Sequence, residues 1–331
     1  MAAAVWFPRA RSVELRTEEL PATGPDEVRV HTVVSAISHG TELLVYRGEV
    51  DAELALDLPT LAGGYGFPLK YGYASVGHVV ALGKDVHGLR EGDLVFALHP
   101  HQDEYVIPGS LVRRLPDGAT ADQGVFLANL ETAINVVLDA KPRLGEVVTV
   151  FGQGVVGLLV TQLLRRSGAR VVAVEPSTVR RSFAERCGAE AAIAPGDESV
   201  IHTVGGGRGA DIAIDASGSP AALQRAIDCV APEGTVVVCS WYGDKPVPLD
   251  LGGRFHRGRV RLISSQVGRI DPALAPRWDR ERRLALAMDL LDELTLAELI
   301  THRFAFSRAA EAYALLDGQA NETGQVVLDY A

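Results

Sequence analysis

The stretch Val147-Val148-Thr149-Val150-Phe151-Gly152-Gln153-Gly154-Val155-Val156-Gly157 decides how this chain is read. Five strand-forming residues run into Gly-x-Gly-x-x-Gly, and the apolar run from Leu158 to Leu164 suits a helix opening at the second glycine. Strand, glycine turn and helix in this order make a dinucleotide-binding turn. Gly152 permits the tight bend, Gly154 lets backbone approach a pyrophosphate, and Gly157 lets helix and strand pack closely. The phosphates would rest on the helix N-terminus, where orphan N–H groups and the helix dipole favour negative charge. Gln153, Val155 and Val156 therefore join the glycines as cofactor-binding candidates.

Residues 168–175 strengthen the reading. Gly168 stops the helix, and Arg170-Val171-Val172-Ala173-Val174 makes a second buried strand ending in Glu175. That acid follows Gly157 at close to the roughly 20 residues expected of a carboxylate that holds the adenosine ribose hydroxyls. A carboxylate there repels a 2′-phosphate, so NAD is favoured over NADP; Arg180 and Arg181 keep NADP open. Two other readings of the stretch exist. Val147 to Leu164 has about the length of a transmembrane helix, but three glycines, two threonines and two glutamines interrupt it. A buried strand and helix with no ligand is the other, and the placement of Glu175 argues against it.

Composition bounds the rest. The chain has 331 residues, enough for two domains. With 47% hydrophobic and 22% charged residues it fits an ordinary globular protein. A formal net charge of −10 argues against nucleic acid, which demands a basic face. The start Met1-Ala2-Ala3-Ala4-Val5-Trp6-Phe7-Pro8 lacks the basic lead of a signal peptide, so a cytoplasmic, reducing setting is expected. Cys187, Cys229 and Cys239 are odd in number and scattered through apolar contexts, which suits core packing better than disulfide or metal.

Up to about Asp117 the chain is short β segments punctuated by Gly and Pro. Val28 to Val34, Ser75 to Leu82, Asp93 to Leu98 and Glu104 to Ile107 predict strands of a small, partly open barrel. The glycine-rich connection from Gly48 to Tyr71 is long enough to suggest function or mobility, and is expected over the active site. Thr120-Ala121-Asp122-Gln123 then reads as a capping box opening a helix of about twenty residues to Ala140. From there the period is strand, helix, strand. Ser177 to Cys187 is a helix, Ala191 to Ala194 and Ala210 to Asp215 are strands, and Ser219 caps a helix with Pro220 at its first position. Gly234 to Trp241 and Arg259 to Val267 complete a six-stranded, doubly wound parallel sheet. Two or three helices and a final strand, Gln325 to Tyr330, form the tail.

In this order the chain resembles the medium-chain dehydrogenase/reductase superfamily. The motifs that carry the likeness are Gly88-Leu89-Arg90-Glu91-Gly92-Asp93-Leu94-Val95, the glycine turn, Gly209-Ala210-Asp211-Ile212-Ala213-Ile214-Asp215-Ala216-Ser217-Gly218 and Ala312-Tyr313-Ala314-Leu315-Leu316. The resemblance implies an α/β protein with a GroES-like, partly open β-barrel catalytic domain over residues 1–119 and 268–331. A Rossmann NAD(P)-binding domain would occupy 120–267.

The departures from that pattern bear on the chemistry. Zinc alcohol dehydrogenases of the superfamily hold their metal with a cysteine in the early barrel, a histidine in Gly-His-Glu and a third Cys or acid. This chain has Ile37-Ser38-His39-Gly40-Thr41-Glu42 at the first place, Gly72-Tyr73-Ala74 at the second and Ala128 at the third. Aligning Gly40-Thr41-Glu42 with the family's Gly-Thr-Asp puts His39 at the first ligand position, but one histidine is not a zinc site. His99 and His101 are nearer to a loop than to a ligand set. No catalytic or structural zinc is expected. Ile37-Ser38-x-Gly40-Thr41-Glu42 with Pro68 and Tyr71-Gly72-Tyr73-x-Ser75-Val76-Gly77 resembles a zinc-poor branch that includes bacteriochlorophyllide a dehydrogenase. That relative oxidises a hydroxyethyl group to acetyl with NAD, which implies secondary alcohol/ketone chemistry.

Without a Lewis acid the carbonyl oxygen needs a hydrogen-bond donor or general acid. Tyr73 stands at the zinc-histidine position and is the first candidate. His39 as proton relay, and Ser38 and Thr41 as bridges, complete the set, with Glu42 holding the loop through backbone N–H groups. Glu131, an acid on a mostly apolar helix, is a further catalytic candidate with a solvated or salt-bridged alternative, and Thr132 matches a nicotinamide contact of the family. Ser217, Gly218, Ser240 and Trp241 fall just past strand ends, where such a sheet takes its ligand. Tyr71, Tyr73, Trp241, Tyr242 and Trp278 are candidates for an aromatic pocket, and Lys70, Arg254, His256 and Arg277 for an anion contact.

The expectation is a zinc-independent oxidoreductase moving a hydride between NAD(H) and a secondary alcohol or ketone of a small molecule. An NAD(P)H-dependent enone or quinone reductase and a catalytically silent dinucleotide-binding protein are the alternatives. The resemblance also implies a homodimer joined at the sheet edge, Val260 to Ser264, and no nucleic acid or membrane partner.

Overall fold

The computed structural model describes every residue except Asp57, Pro59, Ala62 and Ala331, and only the backbone of Ala320. Val147–Phe151 forms a strand with all five residues buried. A near-continuous apolar run does this when a parallel sheet is covered on both faces. Helix Val155–Arg166 comes next, with Gly154 as its N-cap and Ser167 as its C-cap. Gly168, at φ +83°, then turns the chain into strand Arg170–Val174. The stretch of bilayer-spanning length is thus a strand and a helix. Among the described residues no helix is long and apolar enough to cross a membrane.

Six strands make this sheet, in the order Ala191–Ile193, Arg170–Val174, Val147–Phe151, Ala210–Asp215, Val230–Val238, Arg261–Ser264. Each neighbouring pair is parallel. The order reverses between Val147–Phe151 and Ala210–Asp215, the switch point beyond whose carboxyl ends a doubly wound sheet takes its ligand. The glycine turn lies at that end. Val172, Val174, Ala213 and Val236 pack with Leu223 and Ile227 of helix Pro220–Cys229 in one core.

Two details of this unit differ from the sequence reading. The fifth strand starts at Val230, four residues before Gly234, because Ala210 pairs with Val230 across a register irregularity. It ends at Val238, so Ser240 and Trp241 lie beyond it. Helix Ser199–Val204 has no sequence signature, since Glu198 at its N-cap makes no side-chain cap bond and the helix is only six residues long.

The other sheet is built on Glu27–Ile37, which pairs antiparallel with Ser75–Leu82, Glu104–Pro108 and Gln325–Asp329. Leu94–Ala97 and Val112–Arg114 continue it on one side and Ile300–Ala305 on the other. The tail therefore supplies two strands. Ile300–Ala305 escapes a hydropathy reading because Thr301 and Arg303 alternate with Ile300, His302 and Phe304 on a strand exposed at every second residue. A separate three-stranded sheet has the order Glu14–Glu18, Ala2–Phe7, Leu69–Lys70. Its central strand contributes Val5 and Phe7 to a core that also holds Leu43, Tyr46 and Tyr313.

Thr120 forms the capping box expected of it, Oγ1 accepting from Gln123 N at 3.2 Å while Gln123 Oε1 accepts from Thr120 N at 2.8 Å. The helix it opens is short, however, covering Ala121–Gly124. Phe126 N reaches back only three residues, to Gln123 O, and that tight turn ends it before Leu127–Ala140 begins.

Contacts divide the chain into residues 1–128 with 288–331, and residues 129–287. The sequence reading puts the divisions at 119/120 and 267/268. The second boundary moves because helix Arg280–Asp289 is bound through Arg283 to Glu131 and Asn135.

Candidate functional site

In the parallel-sheet unit, each glycine of the turn has its own reason. Gly152 has φ +90°, and a Cβ there would lie 2.7 Å from Ser217 Cα and 2.8 Å from Ala216 O. On Gly157 a Cβ would lie 2.0 Å from Gly152 O. At Gly154 it would meet nothing within 4 Å, and no side chain caps the helix there. Two glycines are therefore consumed by packing and the third leaves the helix N-terminus open. That is the cradle a pyrophosphate requires.

Glu175 braces this turn. It is 2% exposed, its Oε2 accepts from Gln153 N at 2.7 Å and its Oε1 from Ser177 N at 3.0 Å. Two of its lone-pair sites are thus used, and a carboxylate has about four. The Gln153 side chain points away from the turn's mouth, since it is buried between Val150 O and Thr161 Oγ1. Only its backbone remains a cofactor candidate. Arg181 is committed to the carbonyls of Glu175 and Pro176, each at 2.7 Å. Arg180 is half-buried, and burial lowers its pKa against the opposing charge of Glu175.

Beyond the carboxyl ends of the next two strands, Ser217, Gly218 and Ser240 come together. Gly218 N donates to Ser240 Oγ at 2.9 Å, and Ser217 Oγ donates to Asp215 Oδ1 at 2.6 Å. Tyr242 donates to Asp215 Oδ2 at 2.7 Å. The sequence reading places Tyr242 only as an aromatic pocket wall and gives Asp215 no site role. An acid closing an apolar strand is the signal that could have found it. Trp241 is 36% exposed beside them. Thr132 is half-buried on helix Leu127–Ala140, and its neighbour Glu131 accepts from Arg283 Nε at 3.2 Å. Arg283, 4% exposed, also donates to Asn135 Oδ1 and Val267 O. The acid on that helix is the salt-bridged one, and its ion pair explains it without a catalytic role.

In the antiparallel-sheet unit, Tyr73 is half-buried and hydrogen-bonds with the side chains of Ser38 and Thr41. Burial first, and the charge of Glu42 second, push its phenol above the ordinary value of 10.0. It is therefore a neutral donor at working pH. Thr41 opens helix Thr41–Arg47, and His39 precedes it, half-buried.

Glu42 does not bond to backbone N–H groups as the sequence reading has it. It is fully buried, and its Oε2 accepts from Tyr313 Oη and meets His101 Nε2, both at 3.0 Å. His101 Nδ1 lies 2.6 Å from Ser35 Oγ, which lies 2.8 Å from Tyr330 Oη. Sequence reasoning misses this chain because its members are scattered from residue 35 to residue 330. His99 stacks on Tyr105 at 3.7 Å, and burial drives its pKa to about 3. Of the candidate anion contacts, Lys70 pairs with Glu18 and Arg254 donates to Val230 O. Tyr71, at 2% exposed, is core rather than pocket wall.

A zinc needs three protein ligands with one position open. Both ring nitrogens of His101 are engaged, and among the described residues no group of three His, Cys, Asp or Glu could hold a metal ion. These residues do not fit the metal.

A doubly wound sheet headed by a glycine turn, together with an antiparallel β unit, defines the GroES-like plus Rossmann architecture of dehydrogenases. Comparison with known proteins agrees. The sequence profile of the zinc-binding dehydrogenase family matches residues 155–284. D-guloside 3-dehydrogenase of Escherichia coli K12 is 29% identical over 308 residues, 87% of this chain and 88% of the relative. L-threonine 3-dehydrogenase of Pyrococcus abyssi is 28% identical, over 96% of this chain and 95% of the relative. The solved alcohol dehydrogenase of E. coli CFT073 complexed with the cofactor NADH superposes with a TM-score of 0.79 at 19% identity, covering 99% of both chains. Residues 155–284 thus match the zinc-binding dehydrogenase family, and along most of its length the chain is similar to dehydrogenases of the medium-chain type.

Proposed function

We propose that this chain is an NAD(H)-linked oxidoreductase acting on a secondary alcohol or its ketone, with the phenol of Tyr73 in place of zinc at the substrate oxygen. The observation that carries it is Tyr73 itself, a neutral phenol tethered by the Ser38 and Thr41 hydroxyls, at the place where the sequence resemblance implies a zinc histidine. Both named relatives are dehydrogenases, which supports the reaction class.

When bound, a nicotinamide cofactor supplies the hydride. The protein's share is to hold and move one proton. Tyr73 donates a hydrogen bond to the carbonyl oxygen and gives up its proton as negative charge develops there. Ser38 and Thr41 fix the direction of that O–H and stabilise the phenolate left behind. His39 stands next to them as a candidate relay. In the other unit Gly152, Gly154 and Gly157 shape the pyrophosphate cradle, with Val155 and Val156 offering backbone N–H groups. Glu175 favours NAD over NADP, because a 2′-phosphate would face a buried carboxylate while Arg181 is already spent on backbone carbonyls. A homodimer through the edge strand Arg261–Ser264, where Leu262 is 38% exposed, completes the proposal, since an edge strand offers unpaired backbone groups to a second copy.

The test is turnover of a panel of secondary alcohols, ketones and enones with NAD or NADH, with products identified. Tyr73→Phe should lower kcat about a hundredfold with little change in KM, on the usual scale of general-acid effects. An unchanged rate removes Tyr73. Hydride delivered to an enone carbon instead of a carbonyl, or stoichiometric zinc whose removal abolishes turnover, overturns the reading.

A further inference from the structure

We propose that Asp215 and Tyr242 are a positioning pair that fixes the nicotinamide half of the cofactor crevice. The inference rests on the proposed dinucleotide binding and adds to it two residues with no direct part in hydride transfer.

Asp215 ends the strand Ala210–Asp215 at the switch point and is fully buried. Its carboxylate is held by neutral donors: Ser217 N at 3.2 Å and Ser217 Oγ at 2.6 Å on Oδ1, and Tyr242 Oη at 2.7 Å on Oδ2. A buried carboxylate is costly when a donor is withdrawn, because the stranded oxygen keeps its full desolvation penalty. Tyr242 therefore holds one side of the group on which the loop after this strand is folded.

Tyr242 belongs to the loop after the neighbouring strand, Val230–Val238. That loop is tied to the first at further points, among them a Cys239 Sγ contact with Asp215 O at 3.1 Å and three bonds from N–H and hydroxyl donors. Cys239 N donates to Asp215 O at 3.0 Å, Gly218 N donates to Ser240 Oγ at 2.9 Å, and Ser240 Oγ donates to Asp215 O at 3.3 Å. These three bonds sit at the base of the loops, next to the sheet. The Tyr242 phenol crosses farther along the chain, where it also lies 3.5 Å from Ser219 O. It closes a ring of backbone around Asp215.

The ring presses on the cofactor turn. Ala216 N donates to Phe151 O at 2.8 Å, and Gly152 has no room for a Cβ because Ser217 Cα and Ala216 O lie against it. A dinucleotide lies across such a switch point with one mononucleotide on each half of the sheet. The glycine turn and Glu175 belong to the half that takes adenosine. The Asp215 loops belong to the other half; they meet the turn only at Ala216 and Ser217, next to the sheet, so the spacing that Tyr242 sets farther along is felt by the nicotinamide mononucleotide rather than by the adenosine.

Calorimetric titration of the full-length wild type and of Tyr242→Phe with NADH and with ADP-ribose tests this, with melting temperatures read alongside. Removing a hydrogen bond to a charged group should weaken NADH binding about tenfold or more. ADP-ribose, which lacks the nicotinamide, should bind both proteins alike. Equal affinities of the two proteins for NADH, or equal losses for both ligands, overturn the pair's role. Failure of the wild type to bind either ligand overturns the dinucleotide reading, and this inference with it, while a NADH-binding wild type indifferent to the substitution sinks this inference alone.

Discussion

Glu42 and His101 lie 59 residues apart in sequence and meet in a fully buried contact, Oε2 to Nε2 at 3.0 Å. Tyr313 donates to the same carboxylate oxygen, whereas Oε1 is buried and meets no hydrogen-bond donor among the described residues. A carboxylate in that state depends on each donor it has. Glu42→Leu should strand His101 and the Tyr313 phenol and cost about 3 kcal/mol. Glu42→Leu with His101→Leu removes both partners and should cost clearly less than the sum of the two single substitutions. Urea unfolding of the four proteins gives the coupling energy. Additive costs would show that the pair is not an energetic unit.

His99, two residues away from that pair, makes the fold sensitive to acid. Burial lowers its pKa from 6.5 to about 3, chiefly by penalising the imidazolium. The sign is set by linkage. The unfolded chain binds a proton at His99 near pH 6.5 and the folded chain does not until about pH 3, so stability present above pH 6.5 is lost as pH falls through that window. His99→Phe retains a ring to stack on Tyr105 and has nothing to protonate. Its unfolding free energy should fall less steeply than that of the wild type between pH 6.5 and about pH 4, as followed by denaturant titrations at fixed pH. Parallel profiles would show that His99 titrates normally.

The parallel-sheet unit is legible in the sequence because each of its signals is local. An apolar run, a glycine spacing, an acid at a strand end and Ser219-Pro220 at a helix start each act within a few residues. The candidate site in the other unit is not local. Ser35 and Tyr330 are brought together by strand pairing of Glu27–Ile37 with the C-terminal strand Gln325–Asp329, and His101 and Glu42 join them from a loop and a helix distant in sequence, which no window of sequence contains. Glu131 is visible as an odd acid on an apolar helix, but its partner Arg283 is 152 residues on. The Gly48 to Tyr71 connection, expected over the active site, contains Asp57, Pro59 and Ala62, which lie outside the described residues.

Glu175 offers a test of cofactor choice. Its two oxygens brace Gln153 N and Ser177 N, so the residue shapes the turn, and under the proposed function it also repels a 2′-phosphate. Glu175→Ser removes the charge and both braces. NADH affinity should fall about tenfold or more, the scale of hydrogen bonds to a charged group, and the preference for NADH over NADPH should narrow. Fluorescence titration with both nucleotides measures the ratio. An unchanged ratio would assign the preference to another residue.

Gly154 and Gly157 are three residues apart and should respond to alanine in opposite ways. At Gly157 the new methyl would sit 2.0 Å from Gly152 O, a backbone atom that cannot move without opening the turn. Gly157→Ala should therefore destabilise the fold by about 2 kcal/mol or more, as overpacking does. At Gly154 the methyl meets nothing within 4 Å, and φ is −69°, a value any residue adopts. Gly154→Ala should leave stability within about 0.5 kcal/mol of the wild type, as substitutions away from packing usually do. Its methyl would project into the space the pyrophosphate needs, so NADH binding should fall while the melting temperature does not. Thermal melts and NADH titrations of both variants separate the two effects. Loss of binding only in step with loss of stability would mean that Gly154 serves packing, and that the open helix N-terminus is not where the cofactor rests.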